Sequence, residues 1–180
     1  MPTALEHIAS TTISGTSTST ITFSSIPADY GHLLVYMSCA NNGGGATGAL
    51  QIRYNGNSSN IYGWNYWTGN ADYSSFNGGS RDQTYAWALY TSNGGRPTSG
   101  GQTYWSNSQF YFAGYRRNMA MMQSITVGGA HNTTALNFQT SCHTGGSWGN
   151  TATVTSLTLI SQNGSYIADS ILSLYGLKIA

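Results

Sequence analysis

The chain has 180 residues, enough for one domain with a real hydrophobic core. Only 6% of them are charged, against roughly 25% in an ordinary soluble domain. The six basic residues (Arg53, Arg81, Arg96, Arg116, Arg117 and Lys178) leave a net charge of +1 and are too dispersed to meet a run of phosphates, which argues against nucleic acid as a partner.

Solubility must come from hydroxyls and amides, because Ser, Thr, Asn and Gly fill nearly half of the positions. Such a composition can signal disorder, but disordered chains are poor in aromatics, and here aromatics make up 13%. No stretch approaches the ~20 apolar residues of a membrane-spanning helix, so no membrane partner is expected. Residues 1–7 have neither the basic start nor the apolar run of a signal peptide, so export by the general pathway is not expected.

In chain order, residues 1–7 could form an N-terminal arm, with strand signals opening at 5–10. Residues 18–23 alternate small polar with apolar side chains. The segment 25–30 has the one helical start signal, with Ser25 as a cap and Pro27 in a first turn, cut short by Gly31. Residues 33–39 form a nearly continuous apolar run, which predicts a central strand covered on both faces. Residues 49–54 alternate, Asn55-Gly56 follows, and an aromatic run covers 61–67. That combination predicts a tight hairpin, since Asn-Gly tolerates positive φ.

Residues 68–108 read as a loop-rich insertion, with a strand at 84–90. Strand signals return at 109–115, 119–127 and 135–140. The run 151–160 alternates with a register change near Thr155-Ser156, Asn163-Gly164 turns the chain, and 170–179 closes it. About ten or eleven short strands without helices predict an all-β fold: an antiparallel, jelly-roll-like β-sandwich in a single domain, 1–180.

Catalytic chemistry is thinly represented, and no enzyme is expected. Among five acidic residues, Asp72 and Asp82 are the only pair in one loop-rich region, and both sit in turn-like contexts. His7, His32, His131 and His143 lack short metal-ligand spacing, so no metal is expected. The glycine-rich run 42–48 lacks the Lys-Ser/Thr ending of a phosphate loop, and no cofactor is expected. Cys39 and Cys142 read as two buried thiols in preference to a disulfide.

The unusual feature is an aromatic cluster between Tyr54 and Tyr115. Tyr62, Trp64 and Tyr66 share strand parity and are read as core or subunit interface, while Trp67 falls on the other face. Tyr104 and Trp105, with Trp67 and Trp87, are the candidate contact surface.

The two ends of the chain resemble a family of tailed-bacteriophage virion proteins. The opening Ile8-Ala9-Ser10, then 20–30 (Ile-Thr-Phe-Ser-Ser-Ile-Pro at its centre), then Ile52-Arg53-Tyr54-Asn55-Gly56, follow that family's pattern. So does the closing stretch around Leu174-Tyr175-Gly176. The resemblance leaves about 65–110 without a counterpart, and its motifs are turns and core strands, so no functional residue carries over. It implies a virion structural protein made in the host cytoplasm and placed on the capsid surface. The leading expectation is a capsid decoration (cement) protein, a homotrimer that binds the major capsid protein from outside. The alternative is a tail-fibre or receptor-binding domain that grips host surface glycan through aromatic loops.

Overall fold

Alternation turns directly into two packed layers. In the computed structural model, which describes residues 4–42, 48–69, 75–90, 106–115, 120–130, 138–162 and 164–178, Thr20-Ile21-Thr22-Phe23 exposes its threonines and buries Ile21 and Phe23. The same period-2 logic recurs in Leu157–Ser161 and Ile171–Leu177. The described strands are β1 (Leu5–Thr12), β2 (Thr20–Phe23), β3 (His32–Cys39), β4 (Gly48–Tyr54), β5 (Tyr62–Gly69) and β6 (Ser75–Gln83). They continue with β7 (Ala86–Tyr90), β8 (Ser106–Ala113), β9 (Ala120–Ala130), β10 (Phe138–Trp148), β11 (Leu157–Ser161) and β12 (Ile171–Leu177).

Eight strands form one antiparallel sheet in the order β1-β12-β3-β8-β9-β10-β5-β6, and four form a second in the order β2-β11-β4-β7. Most connections between consecutive described strands pass from one sheet to the other, as in a jelly roll. The core between the layers combines Leu33, Val35, Met37, Phe110, Phe112, Leu172 and Leu174 from the large sheet with Ile21, Phe23, Leu50, Ile52, Leu157 and Leu159 from the small one. Tyr54 of β4 stacks on Trp148 of β10 at 5.2 Å between ring centroids and meets Phe112 of β8 edge-on at 6.0 Å. The fold is thus the antiparallel β-sandwich expected from the strand pattern.

Several local expectations are corrected. Asn55 and Gly56 do adopt positive φ (53° and 64°), and Asn57 N–H closes the turn on Tyr54 O at 3.0 Å. Yet β4 pairs with β11 and β7, while β5 pairs with β10 and β6, so this turn carries the chain between sheets and is no hairpin. Asn55 instead pins the segment before β11: its Oδ1 accepts from Thr155 N–H (2.7 Å) and Ser156 N–H (3.1 Å), and its Nδ2 donates to Thr153 O (2.8 Å). The strand expected over 151–160 with a register change near Thr155-Ser156 begins only at Leu157, because this clamp holds 153–156 outside the ladder.

Segment 25–30 forms no helical turn. Ser25 sits at φ 55°, and Tyr115 Oη holds the segment by donating to Pro27 O (2.6 Å) and accepting from Tyr30 N–H (3.1 Å). Residues 5–7 are no free arm, because Leu5, Glu6 and His7 pair with Leu177, Gly176 and Tyr175. Within 68–108, β6 is a full strand as well as β7. β3 is not covered on both faces: Leu33, Val35 and Met37 face the core, but Tyr36 on the opposite face is 43% exposed.

Candidate interaction face

Strand parity decides which side chains the eight-stranded sheet turns away from the core. On β12 they are Ile171, Ser173, Tyr175 and Leu177, and on β3 His32, Leu34, Tyr36 and Ser38, which are register neighbours across the ladder. On β8 they are Asn107, Gln109, Tyr111 and Ala113, on β10 His143, Gly145 and Ser147, and on β5 Gly63, Asn65 and Trp67. The six adjacent strands β12, β3, β8, β9, β10 and β5 contain no Asp, Glu, Lys or Arg. Strands of that combined length in an ordinary domain would carry about a dozen.

Among the described residues of this sheet, charge returns at the flanks. Glu6 on β1 pairs with Lys178 just beyond β12 (2.8 Å), and Arg81 and Asp82 lie on β6. The Lys178 hydrogen bond, opposed by partial burial and aided by Tyr30, holds the Glu6 carboxyl below its usual range. Burial pushes the Tyr111 phenol up, so this outward ring stays neutral at ordinary pH.

One end of the face is an aromatic ridge. His7 meets Tyr175 at 5.4 Å and Tyr175 meets Tyr36 at 5.7 Å, both edge-on, while His32 stacks on Tyr111 at 5.2 Å. Beneath them the Ser10 and Ser173 hydroxyls bond at 2.8 Å. Between Tyr36 and Ile171 lies an open hollow of about 370 Å³, floored by the Met37–Ser108 register pair and bordered by Ser38, Ser173, Asn107 and Gln109. Leu5 (48% exposed), Tyr36 and Ile171 (45%) make this end the more apolar one.

The opposite end holds Trp67, 51% exposed, with the exposed ring of His143 at 6.2 Å on the paired strand. Of the candidate contact residues, Trp67 therefore stands on this outer face. Trp87 does not join it. Its ring lies between the layers, 4.7 Å from Trp64 and 5.4 Å from Tyr66, and its Nε1 donates to Gln162 Oε1 at 3.0 Å. Tyr104 and Trp105 lie outside the described residues, as do Asp72 and His131. Asp82 occupies a left-handed position (φ 57°) on β6, the conformation of a turn residue.

Tyr62 is fully buried, and Trp64 and Tyr66 face inward beside it, in keeping with the core reading of that strand face. Cys39 is a buried free thiol pushed up to about 12 by desolvation. Its strand is three positions from that of Cys142 in the sheet, roughly 14 Å, beyond disulfide reach. Among the described residues, no three His, Cys, Asp or Glu side chains gather as a metal site.

Sequence reasoning missed Tyr36, Ile171 and Asn65. Tyr36 is hidden inside an apolar run, and the only signal for it is its parity opposite Leu33, Val35 and Met37.

No family model matches the chain, and no curated protein matches it. Among solved structures it is similar to the galectin LEC-6 of Caenorhabditis elegans, with 6% identity, 94% of this chain and 96% of that one covered, and a TM-score of 0.37. It also aligns with SO2946 of Shewanella oneidensis, a protein of unknown function, at 11% identity over 87% of this chain and 62% of that one, with a TM-score of 0.26. A third likeness, to a chain of infectious bursal disease virus strain Gx, has 16% identity, covers 98% of this chain and 39% of that one, and scores 0.15.

Proposed function

We propose that this chain is a non-enzymatic structural protein of a phage particle: a capsid decoration protein that lays the outer face of its eight-stranded sheet on the major capsid protein. The observation that carries this reading is the charge-free face. Depletion of charge with enrichment of aromatics is the compositional mark of protein–protein interface cores. Here it extends over six contiguous strands, with Tyr36, Tyr175 and Tyr111 presented outward.

The six uncharged strands, about 4.8 Å apart and about nine residues long, span roughly 28 by 29 Å. That is about 800 Å², the area each partner gives to a standard stable interface. The hollow between Tyr36 and Ile171 supplies a pocket for an apolar anchor from the capsid surface, the arrangement in which binding energy concentrates. Assembly as a homotrimer around a capsid symmetry axis fits the same reading.

The test has two parts. Copies per particle, counted against the major capsid protein, are expected in the hundreds and in fixed ratio. Rebinding of the purified protein to capsids stripped of it should change less than about threefold between low and high salt, because the contact releases few counterions. A few copies per particle, or affinity that collapses with salt, would refute the assignment.

A further inference from the structure

We propose that the Trp67 end of the outer face, remote from the hollow between Tyr36 and Ile171, is a binding site for a neutral saccharide in the free protein, independent of the capsid assignment. Trp67 is the most exposed large apolar side chain described, and half of its indole stands in water. His143 borders it on β10, and Asn65 follows two residues back on the same face, about 6.7 Å along the strand.

The surface around Asn65 is kept clear by glycine. A Cβ on Gly145, its register partner, would collide with Asn65 Oδ1, so the amide lies across the bare backbone of β10. On the other side a Cβ at Gly79 of β6 would come 3.0 Å from Trp64 O. One step further, a Cβ on Gly63 would crowd the Ser147 hydroxyl at 3.1 Å. The result is a strip along β5 and β10 with an indole at one end, an amide lying over Gly145 in the middle and a hydroxyl beside Gly63 at the far end.

That set suits a sugar. An indole presents a flat apolar face to the C–H side of a pyranose ring, and fixed amide and hydroxyl groups both donate to and accept from ring hydroxyls. The Trp67–Asn65 spacing is comparable with the length of a hexose unit, so a disaccharide spans both. β5 and β10 carry no charge, and among the described residues the charges on the paired strand β6, Arg81 and Asp82, are of opposite sign. Among the described residues, β5 and β10 therefore offer no cation to a uronate, a sulfated sugar or a nucleic-acid backbone, each of which calls for one.

The experiment follows assigned amide and indole NMR signals of the full chain during titration with lactose, cellobiose, maltose and chitobiose to about 50 mM, since single-disaccharide affinities lie near the millimolar range. At least one of them should shift the Trp67 indole and Asn65 amide signals together. Trp67→Ala and Asn65→Ala should weaken that binding at least tenfold, and Gly145→Val should abolish it by displacing the Asn65 amide. Tyr36→Ala, four strand positions away, should bind the sugar unchanged while losing capsid rebinding. Absence of any shift with all four sugars, persistence of binding in Trp67→Ala, or tighter binding of digalacturonate than of every neutral disaccharide would overturn the proposal. Circular dichroism of each variant confirms that it is folded, which the exposure of Trp67 and Asn65 favours.

Discussion

Gly176→Ala tests the packing where the two ends of the chain meet. Gly176 is buried in β12 between Glu6 of β1 and Leu33 of β3, and the Tyr30 ring lies directly on it. A Cβ there would fall well under 3.0 Å from Cγ, Cδ1 and Cδ2 of that ring, so the ring must retreat by roughly 1 Å or more to regain ordinary contact. Tyr30 has little slack for this, being 7% exposed, with its N–H bonded to Tyr115 Oη at 3.1 Å and its Oη donating to Glu6 at 3.1 Å. Lys178 stands over the ring at 5.7 Å and pairs with the same carboxylate.

Overpacking of this kind costs about 1–3 kcal/mol, and the immobility of Tyr30 places Gly176→Ala near the upper end. For a domain of this size, about 3 kcal/mol lowers the melting midpoint by roughly 6–12 °C. The assay is thermal unfolding of wild type, Gly176→Ala, Tyr30→Ala and the double variant. Tyr30→Ala alone should cost about 3–5 kcal/mol, and in its background the Gly176→Ala penalty should vanish, so that the coupling nearly equals the single penalty. A Gly176→Ala protein melting within about 1 °C of wild type, or one paying the same penalty without Tyr30, would refute the reasoning.

Three further outcomes are expected. Burial pushes the Cys39 thiol from 9.0 up to about 12 and the Tyr54 phenol up from 10.0. Both are therefore neutral in the fold where the unfolded chain ionises them, and their stabilisation, complete below the unfolded pKa values, is lost as pH rises from about 9 toward the folded ones, by at most about 1.4 kcal/mol per pH unit per group. Melting midpoints that stay level across that window would mean water reaches these groups in the native state. Asn55→Ala removes the clamp on Thr155 and Ser156 and puts a Cβ residue without local hydrogen bonds at φ 53°. It should lower the urea midpoint by the equivalent of about 2–3 kcal/mol with an unchanged m-value, whereas an unshifted midpoint would show the segment is held by other contacts. Leu33→Asp places a charge inside the core and should prevent folding, while Leu34→Asp, on the outer face between Tyr111 and Tyr175 in register, should fold with a loss of about 2 kcal/mol as those rings move aside. The reverse order, read by circular dichroism and amide dispersion, would mean the faces of β3 are inverted.

The strands that could be read from residues alone are those with hydrophobic alternation or a continuous apolar run. β3, β4 and β12 fall within a few residues of their expected limits because Val, Ile, Leu and Tyr suit a half-buried pleated surface. β6, Ser-Phe-Asn-Gly-Gly-Ser-Arg-Asp-Gln, carries no such signal. It is a strand because β5 offers it an open ladder, and Gly78 leaves room for the Tyr66 ring, whose Cε1 would lie 2.8 Å from a Cβ there. Asn55-Gly56 was legible as a tight turn because that chemistry is local. Which strands flank it in space is decided by the partners β11 and β10, which are remote in the chain.

The candidate face shows the same division between local and remote information. Parity on β5 separates Trp67 from Tyr62, Trp64 and Tyr66, and burial of the three-ring face leaves Trp67 outward. No comparable argument reaches Trp87, because its position depends on β7 bringing it against β5 across the layers. The shortage of charge is plain in the composition, but its meaning is not. The charged residues of the described strands lie in β1, β4 and β6, while the six strands of the large sheet that lack them are scattered in sequence between His32 and Leu177. Only the order of the large sheet sets those six side by side. A diffuse compositional bias thereby becomes one continuous uncharged surface, with an aromatic hollow at one end and an exposed indole at the other.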